Sequence, residues 1–138
     1  MKMYNYEAEA FAQFLLTLEL AGKQSRMRTK FCKILGDKMK DVDDDRVALA
    51  KEYAKKDANG EPMMITREDG SQVFDMEDLD AFNREYFILT REELIVDETP
   101  ERADMINTIK DVVLNTDKIF SGQDAMLYDR WCEIVEGE

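Results

Sequence analysis

At 138 residues and 44% apolar side chains, the chain can bury the core of one ordinary domain and is too hydrophobic for disorder throughout. No run approaches the roughly 20 apolar residues of a membrane span, and Glu7, Glu9 and Glu19 break or flank the apolar run 11–20, with no small-residue cleavage site after it. A chain that starts at Met1 and stays in the cytoplasm is therefore expected. The formal net charge is −12, and histidine is absent. That absence removes the commonest general base, nucleophile activator and metal ligand, and a non-enzymatic protein without cofactors is expected.

The first predicted helix covers residues 6–20. Ala8, Phe11, Leu15 and Leu18 recur at spacings of three and four, Phe14 and Leu16 widen the stripe, and Ala21-Gly22 supplies a stop. The second covers about 25–56. Cys32, Leu35, Met39, Val42, Leu49 and Tyr53 fit a heptad seam with Arg46 in one core position. This predicts an antiparallel hairpin with the first helix, or a short coiled coil. Gly36 and the acidic run 41–45 are its weak points. Cys32 and Cys132 fall inside predicted helices a hundred residues apart and are expected as reduced, buried thiols.

Asn59-Gly60 marks a turn. Residues 63–66 and 72–74 flank Asp69-Gly70, a dipeptide suited to a two-residue β-turn, and the resulting ribbon should lean on a helix. The third helix is expected after Asp75 as N-cap, with Glu77, Asp78 and Asp80 in its first turn. Its stripe is Leu79, Phe82, Tyr86 and Leu89, with Phe87 added. Residues 93–96 read as a short strand extending the hairpin. Thr99-Pro100 opens a fourth helix, with Met105, Ile106, Ile109, Val112 and Val113 inward. Ser121 with Asp124 resembles a capping box opening a fifth, with Leu127, Tyr128, Trp131, Ile134 and Val135 as its stripe.

The fold class is mainly α (α+β): an antiparallel helix hairpin with a long second helix, a small β-hairpin and two to three further helices. It reads as a single domain, 1–138, with parts 1–56, 57–98 and 99–138.

Charge is distributed unevenly. Residues 23–56 carry eleven Lys/Arg and six Asp/Glu, whereas residues 57–138 carry seven and twenty-two. The acidic part argues against direct nucleic-acid binding, which depends on phosphate neutralisation, and suits a basic protein partner. The acidic candidates are Asp69, Asp75, Glu77, Asp78, Asp80, Glu92, Glu93, Asp97 and Glu98. The basic candidates, for partner binding or self-association, are Lys23, Arg26, Arg28, Lys30 and Lys33, which can equally dock on the chain's own carboxylates. Asp41, Asp43, Asp45 and Glu52 occupy positions one, three, five and twelve of a calcium-binding EF-hand loop. Arg46 stands where that loop needs glycine, and an acidic helix junction explains the run as well. Methionine, with nine copies, is either core filler or an adaptable surface.

The stretch Gly22-Lys23-Gln24-Ser25-Arg26 followed by Arg28-Thr29-Lys30 resembles the N-terminal part of a family of small uncharacterised phage and prophage proteins of Gram-positive bacteria. The turn over 57–62, the Glu68-Asp69-Gly70 turn and the step Ser121-Gly122-Gln123-Asp124-Ala125 are similar to its middle and end. The resemblance implies a phage-encoded helical protein with a β-hairpin and supplies no known catalytic residues to carry over. Two functions are compatible with it. One is an accessory protein whose acidic surface binds and blocks a host protein, such as a defence or nucleic-acid-handling factor. The other is a virion or tail assembly component that self-associates through its first two helices, and so a homo-oligomer.

Overall fold

The computed structural model describes residues 1–137, and they form a mainly helical fold with five α-helices and two small antiparallel sheets. The chain divides into two compact units. One is Met1–Met39 together with the chain from Glu93 on, and the other is Lys40–Glu92. The division falls inside the long second helix rather than at residues 56 and 98.

The first unit opens with β1 (Lys2–Tyr4), which pairs antiparallel with β4 (Glu93–Ile95), Met3 opposite Leu94. Strand alternation turns Met3 and Leu94 inward and leaves their neighbours outward. The Met1 ammonium donates to the Val96 carbonyl at 2.9 Å, and the Val96 N–H returns to Met1 O at 2.8 Å. Residues 93–96 therefore extend no hairpin. Their partner is a strand of three residues, too short to announce itself by alternation.

A 3-10 turn (Asn5–Glu7) leads into α1 (Ala8–Thr17), which ends before Leu18, where the backbone becomes extended. The Arg28 guanidinium donates to the carbonyls of Leu15, at 3.0 Å, and Leu18. The Thr17 hydroxyl donates to Phe14 O at 2.6 Å. These donors satisfy the carbonyls a helix end leaves open. Ala21-Gly22 is consequently not the stop. Gly22, at φ +57°, instead begins α2 (Gly22–Tyr53).

α2 runs unbroken through 41–45, where Asp43 and Arg46, three residues apart, pair at 2.9 Å. Its buried residues in this unit are Met27, Phe31 and Leu35, one every four positions, with Cys32, Ile34 and Met39 half-buried beside them. The predicted seam positions Cys32, Leu35, Met39, Val42, Arg46, Leu49 and Tyr53 are all buried or half-buried, so they do mark the covered side of α2, and Met27 and Phe31 add to it. Phe11 of α1 meets Phe31 edge-on at 6.1 Å between ring centroids and Trp131 at 5.3 Å.

The 3-10 turn Pro100–Arg102 opens α4 (Ala103–Leu114), all five of whose predicted apolar residues are buried. α5 (Gly122–Glu136) buries Trp131, Ile134 and Val135, and Gly137 ends it at φ +86°. Ser121 makes no side-chain cap bond, so the capping box does not form. Cys32 and Cys132 are half-buried and unbridged, and burial pushes the Cys32 thiol above its ordinary value.

Among the described residues of this unit Glu7 is a buried charged side chain, 6% exposed. Its carboxylate accepts from Arg130 Nε at 2.7 Å, Arg130 Nη2 at 3.1 Å and the Tyr4 N–H at 2.8 Å. Arg130 also donates to Glu133 at 3.1 Å. Burial alone would raise the Glu7 carboxyl, but the Arg130 fork and the Tyr4 N–H outweigh it and hold the group below the ordinary range.

Replacing Glu7 with Gln removes the buried one of the two carboxylates on Arg130 and leaves it the more exposed Glu133. We expect a loss of about 2–3 kcal/mol, less than for a fully enclosed pair because Arg130 keeps one edge in water. A group whose native pKa is depressed stabilises above its unfolded value and loses that contribution as pH falls through the native one. Urea unfolding of wild type and Glu7→Gln should therefore differ fully at neutral pH and converge below the ordinary carboxylate range.

Candidate functional site

The Lys40–Glu92 unit is built differently. It begins with the second half of α2 and ends with α3 (Leu79–Thr90), with β2 (Met64–Thr66) and β3 (Gln72–Phe74) paired between them, Ile65 opposite Val73. Two loops of one design shape it. The Arg67 N–H donates to Ser71 O at 2.8 Å, and the Gly70 N–H to Arg67 O at 3.0 Å. Asp57, Gly60 and Glu61 repeat the pattern at 2.9 and 3.0 Å. Each loop has three residues and ends on a glycine at positive φ, +78° for Gly60 and +85° for Gly70. The Asp-Gly dipeptide does make the turn, but in a three-residue loop. The Asp57 carboxylate accepts the N–H groups of Asn59 and Glu61, and the Asp69 carboxylate accepts the Ser71 N–H and hydroxyl, which hold its pKa down.

Three extended segments close on one another beneath the hairpin. The Lys55 N–H donates to Asp75 O at 2.8 Å, the Asp75 N–H to Met63 O at 3.0 Å, and the Met63 N–H to Lys55 O at 2.8 Å. This cyclic set gives each backbone one donor and one acceptor without a sheet. It also claims Asp75, whose carboxylate lies 3.6 Å from Lys55 Nζ. The N-cap of α3 is therefore Asp78, which accepts the Ala81 N–H at 3.0 Å, and not Asp75.

The unit buries little. Among the described residues only Ala50, Ala54 and Leu89 of it are fully buried hydrophobics, against twenty-one in the other unit. The predicted α3 stripe is partly covered: Leu89 is buried, and Phe82 is half-buried and stacks on Tyr86 at 5.8 Å. Leu79 and Tyr86 are nonetheless exposed, and Phe87 (55%) and Ile88 (54%) point away from the stripe. Met63, Met64 and Ile65 are exposed on the hairpin side. An Arg91 guanidinium lies 3.8 Å above the Phe87 ring. Seven large apolar side chains are thus exposed on these 53 residues, against eight among the described residues of the larger unit.

The acidic candidates are divided between the units. Asp69, Asp75, Glu77, Asp78, Asp80 and Glu92 lie in this one, and Glu93, Asp97 and Glu98 in the other. Several have structural tasks. Asp69 closes a loop, Asp75 belongs to the cyclic set and Asp78 caps α3. Glu93 lies 3.7 Å from Lys2. Glu98 lies 2.6 Å from Lys110, whose hydrogen bond chiefly lowers its pKa, and 3.4 Å from the Met1 ammonium. Glu77, Asp80 and Glu92 stay at the surface beside the apolar residues in sequence. Over 40–92, fifteen Asp/Glu face eight Lys/Arg.

The basic run is partly absorbed by its own unit. Lys23 pairs with Asp104 at 2.8 Å and Arg28 holds the end of α1. Arg26, Lys30 and Lys33 are exposed along α2. The calcium-loop reading is corrected: Asp41, Asp43, Asp45 and Glu52 lie on continuous helix and cannot wrap an ion as a twelve-residue loop does. Ile88, which the stripe spacing leaves out, is the surface residue the sequence reading missed. A helix apolar on more than one side was its available signal.

No family model matches the sequence, and neither a curated protein nor a solved structure is similar to the chain.

With so few buried contacts, the Lys40–Glu92 unit should open locally at lower free energy than the other. Native-state amide exchange should show residues 54–90 losing protection well before α1, α4 and the buried turns of α5. Equal protection in both units would contradict this.

Proposed function

We propose that the chain is a protein-binding accessory factor and that the Lys40–Glu92 unit meets the partner. One observation carries this reading: that unit leaves Met63, Met64, Ile65, Leu79, Tyr86, Phe87 and Ile88 at the surface while fully burying three residues. The partner's chemistry follows from charge. With a surplus of seven carboxylates over 40–92, the surface suits a protein face rich in Lys and Arg. Apolar contact supplies the affinity, and the carboxylates around it supply encounter rate and choice of partner. A face that ordinarily receives phosphate is of this kind. Covering it would block a nucleic-acid-handling or defence protein, one of the two roles compatible with the resemblance to phage proteins, for a chain acting in the host cytoplasm.

This revises where binding energy is sought. The nine-carboxylate face is narrowed to Glu77, Asp80 and Glu92, with the apolar residues as the main contributors. Phe87→Ser with Ile88→Ser should reduce retention of a host protein on the tagged chain at least tenfold with little change in Tm, since both side chains are more than half exposed. Changing Glu77 and Glu92 to Gln and Asp80 to Asn should weaken binding severalfold and flatten its salt dependence. Nucleic acid added to the captured complex should displace the chain. Retention indifferent to the Phe87 and Ile88 changes would remove this surface from consideration.

A further inference from the structure

The hairpin of the Lys40–Glu92 unit has an edge that the chain leaves open. β2 and β3 form a sheet of two strands, so each has one neighbour. The register decides which main-chain groups point where. The Asp75 N–H donates to Met63 O at 3.0 Å and the Arg67 N–H to Ser71 O at 2.8 Å, and Ile65 lies opposite Val73 midway between them. Bonded and non-bonded pairs alternate along an antiparallel ladder. Ile65 therefore turns its N–H and C=O toward β3, while Met64 and Thr66 turn theirs outward. Among the described residues no other main-chain or side-chain group takes up these outward donors and acceptors.

The side chains do not close the edge either. Met64 is 47% and Ile65 49% exposed, and Thr66 is exposed as well, so both faces of β2 meet solvent. The β3 edge is better covered, since Val73 and Phe74 are half-buried. Folded proteins commonly guard an edge strand with a charge or a proline, and Met64-Ile65-Thr66 has neither.

We propose that the partner is held by strand addition: an extended segment of a basic protein pairs with β2, bonding to the main chain of Met64 and Thr66 and setting an apolar side chain beside Ile65. This rests on the reading of the unit as the partner-binding one and says how the partner is engaged. The open groups select an extended segment over a helix, whose own N–H and C=O groups are already bonded to each other. Charge selects a foreign segment over β2 of a second copy, which brings the same fifteen Asp/Glu against eight Lys/Arg to the contact. Glu61 and Glu68 are exposed at the two ends of the edge, where Lys or Arg flanking the apolar centre meets them, and Arg67 is the cation beside them. Lys55 and Lys56, at the foot of the hairpin, are taken up by Asp75 and by the Lys51 and Ala54 carbonyls. A strand of three residues supplies register and orientation, and the exposed apolar residues of the unit supply most of the affinity.

The test uses an octapeptide of alternating Lys and Val, titrated to about 1 mM into the isotope-labelled full chain. The Met64 and Thr66 amides should shift and exchange with solvent at least tenfold more slowly, and the Ile65 amide, already bonded to β3, should change less. The same peptide N-methylated throughout keeps its charge, loses its donors and should bind at least tenfold more weakly. Thr66→Pro removes one outward donor and no β3 bond, a change an edge position tolerates. It should weaken peptide binding at least fivefold while the Ile65 and Val73 amides stay protected, and Thr66→Ser should not. No response of the Met64 and Thr66 amides, or equal binding of the N-methylated peptide, overturns strand addition. So does protection of these amides that grows with the chain's own concentration without peptide, which places a second copy on the edge. The reading of the unit as partner-binding fails separately, through retention indifferent to the Phe87 and Ile88 changes.

Discussion

The first unit depends on the fork between Glu7 and Arg130. The two residues are 123 positions apart and join the turn before α1 to the middle of α5. Burying a carboxylate is costly unless it is paired and hydrogen-bonded. Glu7 has both kinds of partner, since Arg130 supplies two N–H donors and Tyr4 a third. The Tyr4 bond matters beyond its own energy, because Tyr4 is the last residue of β1. One carboxylate therefore orders the end of the strand pair, the start of α1 and the rotamer of Arg130, which in turn lies over the Tyr4 ring. Phe11, four residues on from Glu7, then reaches Phe31 and Trp131, the aromatic centre of this core.

Much of the helical architecture is legible in the sequence because it is periodic. The α4 positions Met105, Ile106, Ile109, Val112 and Val113 are all buried, and the β-hairpin falls within a residue of its expected place. What stays hidden depends on single long-range contacts. The end of α1 is set by a guanidinium ten to thirteen residues away, so Gly22 looks like a stop when it begins the next helix. Asp75 has the composition of a cap, but the backbone ring with Lys55 and Met63 takes its main chain, and capping passes to Asp78. A strand of three residues at each end of a pairing has no period to detect, and the partner of 93–95 is accordingly unreadable.

The candidate surface was harder to read for a related reason. Periodicity shows which residues share a face, not whether anything covers it. Leu79, Phe82, Tyr86 and Leu89 do share a stripe on α3, yet only Leu89 is fully buried. The carboxylate list failed in the opposite direction. Asp69, Asp75 and Asp78 look like surface charge but satisfy backbone N–H groups or lie beside a lysine, as turn and cap residues commonly do.

Charge pairing differs between the units in a way that bears on what each can bind. Among the described residues, six of the eight ion pairs lie in the first unit, and Lys2, Lys23, Lys110 and Arg130 are engaged there. In 40–92 Arg46 pairs with Asp43 and Lys55 with Asp75, while fifteen acids outnumber eight Lys/Arg over the same residues. A second copy brought to that surface adds like charge, and the repulsion opposes whatever its apolar residues gain. A basic protein meets the same apolar residues with the sign reversed.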